Sequence, residues 1–387
     1  MESEIFQFEP TGVKLIPARL KEARESMGLS MTELADLIGV SPQAISQYES
    51  DDKQPEWGTL MRISTHLEQP ISYFTAGRPD GGQPTATAFF RSFKSRTKST
   101  HRMLRRWSVW AAQTVHYISE SVNLPPVLVI KPKAEQTYSD EEIERVATEC
   151  RRLWGLSDGP IANMVALLES NGFIVIRSEF GVSDTDAFSC WQDERPFIFL
   201  ASDKHCAVRS RFDAAHELGH MILHRHLSQE ELEDAEILNR VEHEANRFAA
   251  AFLLPARTFI SEVFSSSLKQ FIELKKRWKV AISAMIYRCK DLGIFDEHQC
   301  LKLRKQMSFH KYVKKEPLDD VLPVEPTHLV SQSVKLLISS NIKVGTDLLI
   351  DLRLSAKALA KIGGFSEELL TGHDAGKSIY PLGLKTA

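Results

Sequence analysis

His216-Glu217-Leu218-Gly219-His220 limits what this chain can fold into more than any other stretch of its sequence. Two imidazoles at positions i and i+4 lie one above the other on a helix, where both reach a single Zn²⁺ at about 2.0–2.1 Å. Glu217 falls beside them, toward water held at the ion, and a carboxylate there takes the proton that turns water into a nucleophile for amide hydrolysis. A pair of surface histidines is the competing reading. Against it, Phe212-Asp213-Ala214-Ala215 before the motif and Met221-Ile222-Leu223-His224 after it carry the apolar helical face straight through.

Zinc needs a third protein ligand, and the stretch Val241–Ala250 offers two. It reads as a second helix whose Ala245, Phe248, Ala249 and Phe252 face inward and allow close approach to the first. Glu242 is the expected ligand and Glu244 the competitor, since helix geometry alone excludes neither. Asn246 lies one turn beyond Glu242, where its side-chain carbonyl accepts the second N–H of a ligating histidine.

A different pattern governs the amino-terminal part. Ser30-Met31-Thr32-Glu33 is a capping box, Gly39 suits a left-handed turn, and Ser41-Pro42 opens another helix with an N-cap and a proline at its first position. Leu34, Ala35, Ile38, Val40 and Ile45 supply the contacts of two helices crossing through a short turn. Over Leu15–Phe74 the sequence resembles the Xre/Cro family of DNA-binding domains. The resemblance implies a five-helix module that places its second motif helix in the major groove of a double-stranded operator, with Gln43, Ser46 and Gln47 facing the bases. A module used only for dimerisation or partner binding is the alternative. Its charge favours that alternative: Lys14, Arg19, Lys21, Arg24, Lys53 and Arg62 stand against nine acidic residues.

The next segment reverses this balance. Arg78–Trp110 carries Arg78, Arg91, Lys94, Arg96, Lys98, Arg102, Arg105 and Arg106 against Asp80 alone, interleaved with Phe89, Phe90, Phe93, Trp107 and Trp110. Arg91–Arg106 is thus a candidate contact for single-stranded nucleic acid; a solvated basic face with buried aromatics is the equal alternative.

Composition sets the remaining bounds. At 387 residues, 43% hydrophobic and a formal charge of −3, the chain has core enough for two or three domains. Five dispersed cysteines form no Cys-x-x-Cys pair, so histidines are the metal candidates. Apolar runs such as Phe248–Pro255 are far shorter than the roughly 18 residues of a membrane span. The acidic start Met1-Glu2-Ser3-Glu4 is unlike a signal peptide. A cytoplasmic protein with no membrane partner is expected.

HELGHMILH followed by EHEANRFAAAFLLP is similar to the ImmA/IrrE family of zinc metallopeptidases, and the likeness extends to Phe89-Phe90-Arg91-Ser92, Arg211-Phe212, Leu274–Val280 and Tyr287-Arg288. It implies that His216 and His220 bind Zn²⁺, that Glu217 is the general base and acid, and that a downstream glutamate completes the site. His224, His205 and Tyr287 are the candidates for stabilising an oxyanion. The expected fold is α+β and mostly helical. It comprises a helix-turn-helix domain at 11–76, a basic linker at 77–98 and a zincin-like metallopeptidase at 99–256. A helical, helix-turn-helix-like subdomain or plain supporting hairpin follows at 257–315, then a helical tail at 316–387.

The resemblance further implies a DNA-binding regulator that cleaves an Xre-type repressor, or itself, on a stress or mobile-element signal. An extended peptide would pair with an exposed strand near Asp186–Trp191. The competing functions are a sensor-regulator that cuts nothing and the regulatory half of a toxin–antitoxin pair; a homodimer would match a two-fold operator.

Overall fold

A computed structural model describes residues 13–77, 86–90, 97–135, 137–179, 186–202, 206–228, 230–371 and 383–384. It is mostly helical with a small sheet, and it divides into two compact units. The first joins Met1–Pro84, Arg96–Ser121 and Val334–Lys377; the second joins Thr85–Ser95, Val122–Ser333 and Ser378–Ala387.

In the first unit, α1 (Pro17–Ser26), α2 (Met31–Ile38), α3 (Pro42–Glu49), α4 (Trp57–His66) and α5 (Ile71–Thr75) form the expected five-helix module. Its boundaries follow local chemistry. Ser30 Oγ accepts from Glu33 N at 3.1 Å while Glu33 Oε2 accepts from Ser30 N at 2.7 Å, and Gly39 closes α2 at φ 69°. Ser41 Oγ accepts from Ala44 N at 3.2 Å and starts α3. Leu20, Ala23, Leu34, Ala35, Ile38, Ile45, Ile63 and Phe74 are buried between the helices.

The helix α6 (Lys98–Ser119) belongs to this unit, not to the metallopeptidase region that was expected to begin at residue 99. It packs along α1: Trp110 is buried edge-on to Tyr73 with ring centroids 5.8 Å apart, and Arg106 Nε donates to Glu25 Oε2 at 2.8 Å. An amphipathic helix that buries Met103, Leu104, Val109, Trp110 and Val115 goes where a complementary apolar face exists, and α1 and α5 provide one.

The second unit is built on a four-stranded sheet. Its order is β1 (Ala86–Phe90), β4 (Ala187–Gln192), β5 (Arg195–Ala201), β3 (Ile174–Ser178); β2 (Val122–Asn123) forms a separate two-residue ladder with β6 (Gly383–Leu384). The strand β4 runs antiparallel to both β1 and β5, whereas β3 and β5 are parallel. Two expectations are corrected here. The stretch 77–98 contains a strand, and the strand near Asp186–Trp191 has no open edge, because β1 lies along it.

Against the sheet pack α8 (Met164–Ser170), which meets β3, and α9 (Ala207–Leu223), which meets β4 and β5; α10 (Ala235–Leu253) then lies against α9 and α7 (Asp140–Leu153) against α10. Gly219 is what lets α9 and α10 approach. A Cβ there would lie 3.1 Å from Phe248 Cδ1 and 3.2 Å from Ala245 O.

The helices α11 (Ala256–Glu262), α12 (Leu268–Trp278), α13 (Ile282–Asp291) and α14 (Glu297–Phe309) do not form a core of their own. Phe271, Trp278, Met285 and Ile286 share one continuous core with Leu218, Phe248 and Phe252. Buried Arg288 ties the same segment to α7 through Glu144.

The chain then passes through α15 (Leu329–Ser339), within which the division between units falls, to α16 (Gly345–Leu352), α17 (Ala356–Gly363) and α18 (Glu368–Thr371). The last three return to the first unit. There, α16 and α17 pack on α6, and Gln69 Oε1 accepts from Ser355 N at 3.0 Å. No helix among the described residues is long and apolar enough to cross a membrane.

Candidate metal centre

The motif lies entirely within α9, where His216 and His220 are 5% and 1% exposed. Their Nε2 atoms face each other at 3.0 Å, and Glu242, reaching across from α10, sets Oε2 3.5 Å from the first and Oε1 3.5 Å from the second. Ligand atoms about 2.1 Å from a tetrahedral ion stand about 3.4 Å apart, close to these three separations.

Hydrogen bonding fixes the tautomers. Asn246 Oδ1 lies 3.0 Å from His216 Nδ1, so that nitrogen carries the proton and Nε2 is left with its lone pair. For His220 the arrangement is longer: Nδ1 lies 3.1 Å from His224 Nδ1, and His224 Nε2 lies 2.9 Å from Glu244 Oε2. Burial raises the Glu244 carboxyl, but the Tyr138 N–H and Arg240 beside it oppose this and favour the carboxylate, which only accepts. His224 therefore donates from Nε2 and accepts at Nδ1, His220 donates from Nδ1, and His220 Nε2 is bare.

Burial, then the neighbouring His216, pushes His220 down to about 4; burial, then His226 and His216, pushes His224 down to about 3, so both rings are neutral near pH 7. Burial alone would raise Glu242, but the imidazoles of His216 and His220 beside it outweigh that and hold the carboxyl far below its usual range. Two unprotonated nitrogens and a carboxylate converge, all acceptors, and Glu242 Oε1 is buried with no hydrogen-bond partner among the described residues. Such a donor set fits a cation, and its nitrogen and oxygen atoms suit Zn²⁺.

Glu217 is fully buried between the two histidines in sequence. Its Oε2 accepts from Ser189 Oγ on β4 at 2.7 Å, while Oε1 has no hydrogen-bond partner among the described residues. The bond from Ser189 fixes the carboxylate and leaves one oxygen to take a proton. Sequence reasoning missed Ser189, whose only signal is a hydroxyl inside the apolar run Ala187–Trp191.

It also missed the pairing of His224 with Glu244, which the His-x-x-x-His spacing from His220 to His224 could have suggested. Glu244 meets His224, Tyr138 N and Arg240, away from the His216–His220–Glu242 cluster. Of the oxyanion candidates, His224 is committed to this chain of bonds, Tyr287 stands on α13 half exposed, and His205 lies outside the described residues.

In the first unit, Gln43 and Ser46 are exposed on α3 and Gln47 is half-buried, opposite buried Ile45 and Tyr48. Three of the module's six basic groups are used internally. Arg24 pairs with Glu49 at 2.6 and 2.8 Å, Arg19 lies over the Tyr73 ring at 4.6 Å, and Arg62 donates to Ile38 O at 2.8 Å. The basic segment is likewise engaged where it is described. Arg102 and Arg106 face Glu25, Trp107 Nε1 donates to Ser26 O at 3.0 Å, and Lys361 lies over the Trp107 ring at 4.3 Å. That part matches the buried-aromatic alternative; Arg91–Arg96 lie outside the described residues.

Comparison with known proteins matches both regions. Residues 20–74 match a family model described as helix-turn-helix, and residues 168–290 match a peptidase-family model described as IrrE N-terminal-like domain. Among curated proteins, the chain is similar to one from Methanocaldococcus jannaschii provisionally described as an HTH-type transcriptional regulatory protein. The two are 39% identical over 59 residues, 15% of this chain and 19% of that protein. It is similar to the HTH-type transcriptional regulator SutR of Escherichia coli, at 34% over 61 residues, 16% of this chain and 34% of that one. An uncharacterized HTH-type transcriptional regulator of Bacillus subtilis is 31% identical over 58 residues, 15% of this chain and 50% of its own length. The chain thus spans between about a fifth and a half of the length of these relatives.

Proposed function

From a chain that joins a helix-turn-helix segment to an IrrE N-terminal-like segment, we propose a DNA-binding regulator whose second unit is a zinc-dependent endopeptidase acting on an Xre-type repressor or on the chain itself. In this reading His216, His220 and Glu242 hold the ion. Zinc bound there supplies Lewis acidity toward a peptide carbonyl and toward water. Glu217 takes the proton of the attacking water at Oε1 and passes it to the departing amide nitrogen, while Ser189 keeps the carboxylate aimed. Asn246, and Glu244 through His224, hold each histidine in the tautomer that presents Nε2. Gln43, Ser46 and Gln47 read base edges of a double-stranded operator, and pairing of two chains would match a two-fold site.

The observation that carries this reading is the convergence of two unprotonated imidazole nitrogens and a carboxylate at tetrahedral spacing, beside a glutamate one of whose oxygens has no hydrogen-bond partner among the described residues. The test is zinc per chain, measured together with cleavage of a purified Xre-type repressor. One zinc is expected in the unchanged chain and almost none in His216→Ala or Glu242→Ala; Glu217→Gln is expected to keep its zinc and lose cleavage. A Glu217→Gln chain that still cleaves would remove Glu217 from the reaction. An unchanged chain that takes up no zinc after reconstitution would leave the non-cutting sensor-regulator. That second reading is favoured by one observation, the occupied edge of β4.

A further inference from the structure

The edge of β4 beside the metal centre is filled by the chain's own residues. Cα partners pair Ala86 with Gln192, Thr87 with Trp191, Phe89 with Cys190 and Phe90 with Ser189, with the register shifting between Thr87 and Phe89. Ser189 is the residue that donates to Glu217 Oε2. Strand β1 therefore runs antiparallel along β4 and ends opposite the residue that holds the proposed base, and its backbone also approaches α9. An extended peptide adds to a sheet edge in just this manner, through main-chain hydrogen bonds.

The path of the chain sets β1 apart from the other strands. The stretch that holds β1 groups with the second unit, whereas the stretches before and after it in the chain group with the first. The shifted register interrupts an already short ladder, which makes it easier to open than the unbroken β4–β5 pairing.

We propose that β1 is an intrachain occupant of the substrate-strand position: Ala86–Phe90 hold the edge of β4 that an extended peptide would take, and a substrate must displace them to reach the centre. The link to catalysis rests on the endopeptidase reading; occupancy of the edge does not.

Two measurements on the full chain test it, both read as binding rather than hydrolysis. The probe is a fluorescein-labelled peptide of residues 84–92, PTATAFFRS, followed by anisotropy with and without added zinc. Replacing Ala86–Phe90 by Gly-Ser-Gly-Ser-Gly is expected to tighten peptide binding at least tenfold over the unchanged chain. In the second, Phe89→Cys places a cysteine at the ladder position paired with Cys190, and paired strand positions have Cα separations within disulfide range. Mild oxidation is expected to form that bond, shown by peptide mapping, and to abolish peptide binding until it is reduced.

The proposal is overturned if the folded replacement variant binds no more tightly than the unchanged chain, or if Phe89→Cys does not join Cys190. Self-cleavage within 85–95 in the unchanged zinc-loaded chain would also overturn it, since a blocking strand has to survive. Failure to take up zinc or to hydrolyse any repressor would instead count against the endopeptidase reading alone.

Discussion

Glu242 and Glu244 stand two residues apart on one helix, and that small separation sends them to different tasks. Glu242 meets both Nε2 atoms of the histidine pair, whereas Glu244 meets His224 and steadies His220 from behind. Helical spacing left the choice open because a glutamate is long enough for either direction; the position of α9 against α10 decides it. Asn246 was expected by spacing, one turn beyond Glu242, to meet a histidine of the pair, and it lies against His216 Nδ1. At this scale we expect Glu244→Ala and Asn246→Ala to saturate with one zinc yet hold it about 10–100-fold more weakly than the unchanged chain, as loss of a ligand-orienting bond generally does. Competition against a chromophoric chelator measures this. A Glu244→Ala chain without any site for zinc would make Glu244 a ligand.

The short helices at the amino terminus were readable because their signals are local: a capping box, a left-handed glycine and an N-cap with proline act within a few residues. The strand β1 was not readable for the opposite reason. Ala86–Phe90 follow a sequence rich in glycine and proline and find their partner about a hundred residues later, so nothing nearby marks them as a strand. Helix contact explains Gly219, which the motif pattern alone leaves arbitrary. Alanine at an ordinary helical position gains up to about 1 kcal/mol over glycine. Here the new methyl meets Ala245 O and Phe248 within 3.2 Å, and overpacking of about 1–3 kcal/mol outweighs the gain. Gly219→Ala is therefore expected to lower the thermal midpoint of the metal-free chain and to weaken zinc uptake; a rise in the midpoint would show that α10 gives way.

Across the whole molecule, chain order and spatial grouping part company. The region 99–256 was expected to be one domain and 316–387 a separate tail, yet α6 and α16–α18 join the five-helix module, and α11–α14 complete the core around α9 and α10. This predicts an asymmetric effect of Trp110→Ala. Truncating a buried tryptophan costs about 3–5 kcal/mol, so hydrogen exchange should quicken in α1 and α5, which α6 covers, while zinc content is unchanged. Loss of zinc with intact protection of α1 would refute the grouping. The fold class, the two motif helices, the five-helix module and the stacked histidine pair were legible because periodicity, caps and i,i+4 spacing act between chain neighbours, whereas the choice between Glu242 and Glu244 was not. What holds the histidine tautomers, what aims Glu217, which strand edge is open and which helices share a core were decided only by the tertiary structure. Those contacts join residues far apart in the chain, and burial and hydrogen bonding select among them only once the units have packed.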